Sequence, residues 1–137
     1  MWEYKTSVTW DGAERGTAST EGRPSLAFTP PLEFGGTEDA WNPELMLVSA
    51  VESCMLLTSL SVAAKQKLEI ASYSSTAVGR MEKTVEGLRF TGIDVHVILK
   101  PVHEADAEKA KKCVAIAERY CPVSNAVKCP VRVVVNE

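Results

Sequence analysis

The stretch NPELMLVSAVESCMLLTSLSVAA, residues 42–64, decides how the rest of the chain is read. It opens with Asn42, suited to an N-cap, then Pro43 at the first helical position and Glu44 as a first-turn carboxylate. From Leu45 to Ala64 it is almost continuously apolar, with Glu52 as its single charge. A helix without a polar face has to be covered on all sides. Its length approaches that of a bilayer span. Glu52 and the hydroxyls of Ser49, Ser53, Thr58, Ser59 and Ser61 argue against a membrane, as do the alternating strands on either flank. The expectation is a long buried central helix in a soluble domain. One small chain cannot easily enclose such a helix, so a second copy is expected to supply part of the cover.

Upstream, Trp2, Tyr4, Val8 and Trp10 share one side of an alternating run that ends at the tight-turn signal Asp11-Gly12. Further strands are expected over residues 15–20 and 25–29, the latter stopped by Pro30-Pro31. Residues 30–41 read as a loop with Gly35-Gly36 as its most flexible point. Downstream, residues 70–82 and 87–99 read as two long strands joined near Glu86-Gly87. The apolar phase slips from Leu88 and Phe90 to Ile93, Val95, Val97 and Leu99, which predicts a β-bulge at Thr91-Gly92. A second helix over about residues 104–120 carries Ala107, Ala110, Val114, Ala117 and Cys121 as its apolar stripe. Val131–Val135 reads as a final strand. This order predicts an α+β fold, with antiparallel sheets packed around the central helix, in a single domain over residues 1–137.

Composition narrows the function classes. The 137 residues are 45% hydrophobic and 24% charged, ordinary for a soluble globular protein. A net charge of −3 offers no electrostatic reason to bind nucleic acid or an anionic membrane, and neither is expected as a partner. The opening MWEYKTSVTWDG has no basic start followed by an apolar core, so no secretory signal is expected. Four cysteines without dense spacing suit a reducing, cytoplasmic setting better than a disulfide scaffold.

Taken singly, the candidate residues are weak. Cys54 is a small apolar side chain inside an apolar helix, where thiols are usually inert. Cys121 ends a helix, precedes Pro122 and leads into a Ser124-Asn125 turn, where the backbone must change direction. Cys113 and Cys129 match no short metal-ligand pair and read as filler, so no metal site is expected. His96 and Asp94 share the polar phase of a strand, and His103 stands beside Glu104 at a helix start. No Ser/His/Asp or Cys/His arrangement and no glycine-rich phosphate loop can be assembled.

Together, NPELMLVSAVESC (42–54), CPVSNAV (121–127) and an arginine among the N-terminal strands resemble the OsmC/Ohr family of osmotically inducible and organic hydroperoxide resistance proteins. The element order is similar over essentially the whole chain, and C-P-x-S-N-A is the most specific segment. The resemblance implies an OsmC-like fold in an intertwined homodimer. It also implies a thiol-dependent peroxidase of the oxidative stress response. Such an enzyme reduces organic hydroperoxides, and hydrogen peroxide less well, without metal or flavin. By position, Cys54 would be the peroxidatic thiol and Cys121 the resolving one, joined in a redox-active disulfide. Glu44 would be the active-site glutamate and Arg15 the active-site arginine, with Arg23 as the other candidate. The valine of CPVSNAV is closer to the OsmC branch. Implied partners are a second copy, a small hydroperoxide and a dithiol reductant such as a protein-bound lipoyl group.

The physical reading fits that chemistry. An apolar helix suppresses thiol ionisation, whereas a nearby guanidinium favours the thiolate and can donate to peroxide oxygens. Glu44 and Cys54 are separated by about 15 Å if the helix is continuous. Either the helix is interrupted, or two helices cross antiparallel near Ser49 and Ala50 and Glu44 serves Cys54 of the other copy. Glu44 as a helix-dipole complement and Arg15 as a surface residue are the plainer readings. A non-catalytic binding protein for a small apolar or lipid ligand is the alternative function, and a general disulfide reductase a third.

Overall fold

The computed structural model describes residues 1–136. The fold is α+β, and the chain forms two compact units, residues 1–47 and from Val48 onward.

In the first unit, β1 (Ser7–Gly12), β2 (Arg15–Ser19) and β3 (Leu26–Phe28) form an antiparallel sheet in that order. The first strand starts at Ser7, which pairs with Ser19, rather than at Trp2. β2 ends at Ser19, so the residues before Ser7 have no ladder to join, and Trp2 and Tyr4 stay exposed. The register shifts between Trp10 and Gly12, and Gly12 takes a positive φ of 98°. That bulge moves the tight turn to Ala13-Glu14, beyond the Asp11-Gly12 position expected from sequence.

The connection after β3 is tightly built. Phe28 bridges Trp41, and the Thr29 amide donates to the Trp41 carbonyl at 2.9 Å. The Gly36 amide donates to the Pro31 carbonyl at 3.0 Å, and a Cβ at Gly36 would lie 1.6 Å from the Pro30 oxygen. Gly36 is therefore a close-packed corner, not the flexible point expected.

Helix α1 (Pro43–Lys65) runs 23 residues without interruption. Asn42 Oδ1 accepts from the Leu45 amide at 2.8 Å, the N-cap bond that its position predicts. Only Val51, Met55, Ser59 and Ala63 are buried, one residue in four along a single side. Leu57 is 65% exposed and Leu60 41%. The all-round burial expected of this helix is not provided within one chain: the helix is long, as predicted, but covered on one side.

In the second unit, β4 (Ile70–Thr84) and β5 (Gly87–Pro101) make a long antiparallel hairpin. Arg80 pairs with Gly92 and Met81 with Phe90, leaving Thr91 as the predicted bulge. Ile93, Val95, Val97 and Leu99 alternate inward and are buried, each contributing about 1.5–3 kcal/mol. Helix α2 (Ala107–Tyr120) follows, and β6 (Val131–Val135) then pairs with β5 in parallel. The antiparallel pairing expected from sequence holds for β4 and β5, but β6 departs from it. A helical crossover carries the chain back along β5, so β6 enters in the same direction. The buried residues of α2 are Ala110, Cys113, Val114 and Ala117. Ala107, expected in that stripe, is exposed, and Cys113 fills a stripe position instead. On β5's other phase, Asp94 accepts from Arg80 at 2.9 Å and lies 3.5 Å from Arg132.

Candidate functional site

The candidate residues fall into two groups, one in each unit. In the first unit, Arg15 opens β2 directly after the turn at Ala13-Glu14. Its Nη1 donates to Thr37 Oγ1 at 3.2 Å and to Asp39 Oδ1 at 3.1 Å. Arg15 and Glu44 both line a cavity of about 440 Å³, with Trp10, Phe28, Phe34 and Pro43 among its apolar walls. Glu44 Oε1 and Thr29 Oγ1 are buried in that lining without a hydrogen-bond partner among the described residues. Arg23 lies elsewhere: its amide closes a turn onto the Thr20 carbonyl, and it borders a separate cavity with Lys5 and Glu21. The fold thus brings Arg15, and not Arg23, to the cavity that Glu44 borders.

Sequence reading missed Thr37 and Asp39. Asp39 is held below the usual carboxylate range, first by the Thr37 hydroxyl and then by Arg15. An acidic residue shortly before a helix N-cap was the available signal, but nothing in the loop's composition ties it to a distant strand.

In the second unit, Cys54 lies in the middle of α1 and Cys121 is the C-cap of α2. Pro122 ends the helix, and Ser124–Ala126 forms one 3-10 turn. The Asn125 amide donates to the Cys121 carbonyl at 3.1 Å, and Asn125 Nδ2 donates to the Arg119 carbonyl at 3.0 Å. Ser124 Oγ donates to the Cys121 carbonyl at 3.3 Å. These bonds satisfy helix-end carbonyls while turning the chain, which fixes Cys121 in place. Met55, Ala117 and Cys121 are fully buried together, with Cys54, Val123 and Val133 packed against them. Both thiols are free. The helix that supplies Cys54 and the helix that ends at Cys121 therefore meet in one core cluster.

The two thiols stand close enough to influence each other's ionisation and have opposite tendencies. Burial pushes Cys54 above the ordinary thiol value of 9.0, and its interaction with Cys121 pushes it further the same way. Cys121 is also penalised by burial, yet it ends below 9.0. Ser124's hydroxyl and amide, and the Cys54 thiol, stand close enough to its sulfur to favour the thiolate. Cys54 is partly exposed and Cys121 is not. Accessibility therefore favours Cys54, whereas acidity favours Cys121. Tyr73 on β4 is close enough to feel the Cys121 charge, and burial pushes its phenol up to about 12. Tyr73 OH and Ser59 Oγ influence each other but form no hydrogen bond of good geometry. Cys113 is buried and pushed up by burial, consistent with a packing role.

The OsmC-like protein family model matches residues 36–136. No curated protein matches the chain. Among solved structures, an OsmC-like protein of unknown function from Vibrio cholerae is similar at TM-score 0.90 and 23% identity. That match covers 98% of this chain and 99% of the other. An organic hydroperoxide resistance protein from Legionella pneumophila has TM-score 0.81 and 27% identity, with both chains covered over 100%. An organic hydroperoxide resistance protein of Bacillus subtilis has TM-score 0.73 and 24% identity, covering 97% of this chain and 98% of that one.

Proposed function

Because the chain belongs to the OsmC-like protein family, we propose that it is a thiol-dependent peroxidase acting on organic hydroperoxides. The observation that carries this reading is that Cys54 packs against the buried cluster containing Cys121 and influences its ionisation, although the two lie far apart in sequence and on two different helices.

Cys54, the accessible member, attacks the peroxide. Its proton passes to solvent as the sulfur attacks, and Cys121 waits as the thiol. The Cys54 sulfur displaces alkoxide from the O–O bond and becomes a sulfenic acid, and the alkoxide leaves as the alcohol after taking a proton from solvent. The Cys121 sulfur then displaces hydroxide from that sulfenic acid, and the hydroxide leaves as water with the thiol proton. A dithiol reductant, of which a protein-bound lipoyl group is one kind, restores both thiols by exchange. Arg15 supplies a cation for the developing charge, and Glu44 accepts from the hydroperoxide O–H. Cavity walls made by Trp10, Phe28 and Phe34 suit an apolar substituent on the peroxide.

The working form on this reading is a homodimer. The exposed apolar side of α1 supports it, as does the uninterrupted helix, which leaves the partner's Glu44 as the one to serve Cys54.

Titration of free thiols before and after one equivalent of cumene hydroperoxide tests the function. Wild type should lose two thiols per chain, and peptide mapping should find Cys54 joined to Cys121. Cys54→Ser should lose none. Cys121→Ser should carry a sulfenic acid that dimedone captures. Retention of all four thiols, or a main disulfide containing Cys113 or Cys129, would overturn the proposal.

A further inference from the structure

The carboxylate that holds Arg15 is Asp39. A guanidinium needs a fixed partner if its fork is to aim at one place, and Glu44, on the same cavity wall, makes no hydrogen bond through its buried Oε1. Arg15 Nη1 donates instead to Asp39 Oδ1 at 3.1 Å and to Thr37 Oγ1 at 3.2 Å. The Thr37 hydroxyl in turn donates to that same Asp39 oxygen. The three groups close a ring of hydrogen bonds in which each fixes the others.

The loop beneath them is built to keep that ring in register. Its two ends are clamped by the Phe28–Trp41 bridge and the Thr29–Trp41 bond. Its corner at Gly36, next to Thr37, admits no side chain at all, because a Cβ would overlap the Pro30 carbonyl. Arg15 and Asp39 side chains are 40% and 65% exposed, so their charge attraction is screened and contributes little to stability. A ring of this kind does more for direction than for stability.

We propose that Thr37 and Asp39 are positioning residues for Arg15, setting the direction in which its guanidinium faces the cavity and leaving Glu44 free for the substrate. This rests on the peroxidase reading and names a new pair of residues within it. The lowered pKa of Asp39 agrees, since it keeps the carboxylate ionised throughout the working pH range.

The test compares Arg15→Ala, Asp39→Asn, Asp39→Glu and Thr37→Val. Two quantities are read: the second-order rate of Cys54 oxidation by cumene hydroperoxide, and the pH dependence of Cys54 alkylation by iodoacetamide. Arg15→Ala should slow oxidation about 100-fold, in the range of one lost charge-stabilising donor. Asp39→Asn should slow it about 5–10-fold and Thr37→Val about 3-fold, with thermal midpoints unchanged. Both should move Cys54 alkylation to higher pH, and Asp39→Glu should recover most of the rate, which a purely structural role would not predict. If Arg15→Ala slows oxidation while Asp39→Asn and Thr37→Val match wild type, the positioning role is wrong and the peroxidase reading stands. If Arg15→Ala itself leaves the rate unchanged, the role given to Arg15 fails and this inference falls with it. An Asp39→Asn protein whose rate and thermal midpoint fall together, without rescue by Asp39→Glu, would also overturn it.

Discussion

Helices α1 and α2 each bring one thiol to the same core cluster, yet their sequences answer to different surroundings. Helix α2 alternates apolar and charged residues, and its buried set is Ala110, Cys113, Val114 and Ala117, with Lys111 and Lys112 exposed. Its apolar stripe is buried within one chain. Helix α1 is apolar nearly all round, yet it buries only Val51, Met55, Ser59 and Ala63, leaving Leu57 and Leu60 outside. A pattern of that kind needs cover that this chain does not supply. The difference carries over to the thiols. Cys121 has donors fixed by its own turn, whereas Cys54 has burial, Thr58 at 3.8 Å and Cys121 itself.

The largest effect should come from the uncovered side of α1. Leu57→Glu with Leu60→Glu should abolish the proposed dimer at micromolar concentration, measured by light scattering. Each buried leucine contributes about 1.5–3 kcal/mol, and two-fold symmetry counts each twice. Charge reversal on the exposed side of α2, Lys111→Glu with Lys112→Glu, should leave the mass of the particle unchanged. If both pairs behaved alike, the contrast between the helices would have no functional meaning.

A smaller effect is expected where the helices share a core. Met55 is fully buried beside Ala117 and Cys121. Met55→Ala should cost about 2–5 kcal/mol in denaturant unfolding and slow disulfide closure, because the cavity lets the two thiols drift. A loss of stability with closure unchanged would show that packing under the thiols does not set their distance.

The smallest effect separates the thiols themselves. Ser124→Ala removes the hydroxyl that favours the Cys121 thiolate, so the Cys121 pKa should rise. Cys121→Ser removes two influences that raise Cys54, its hydrogen bond and its charge, so the Cys54 pKa should fall. The pH profile of alkylation reads both directions, and a shift of opposite sign in either would break the assignment.

Much of the fold was legible in the sequence because it depends on periodicity and on local chain chemistry. The N-cap at Asn42, the inward row from Ile93 to Leu99 and the bulge at Thr91 all follow from residues near one another in the chain. The Cys121-Pro122 corner and its Ser124–Ala126 turn are local in the same sense. Where expectation failed, the deciding partner was remote. The parallel entry of β6 depends on where α2 sets the chain down. The late start of β1 depends on where β2 ends.

The candidate site divides along the same line. The sequence by itself determined which residue types are present and which motif each belongs to: a thiol inside an apolar helix, a thiol at a helix end, a carboxylate in a first turn. It also determined that α1 is apolar on sides one chain leaves bare. Only the tertiary structure decided that Arg15 rather than Arg23 shares a cavity with Glu44, and that Asp39 and Thr37 hold Arg15. It also decided that Cys121 is the more acidic thiol of the pair. Ionisation and hydrogen bonding depend on distances of a few ångströms between groups far apart in the chain. Periodicity says which face a residue occupies, but only folding sets what stands opposite it.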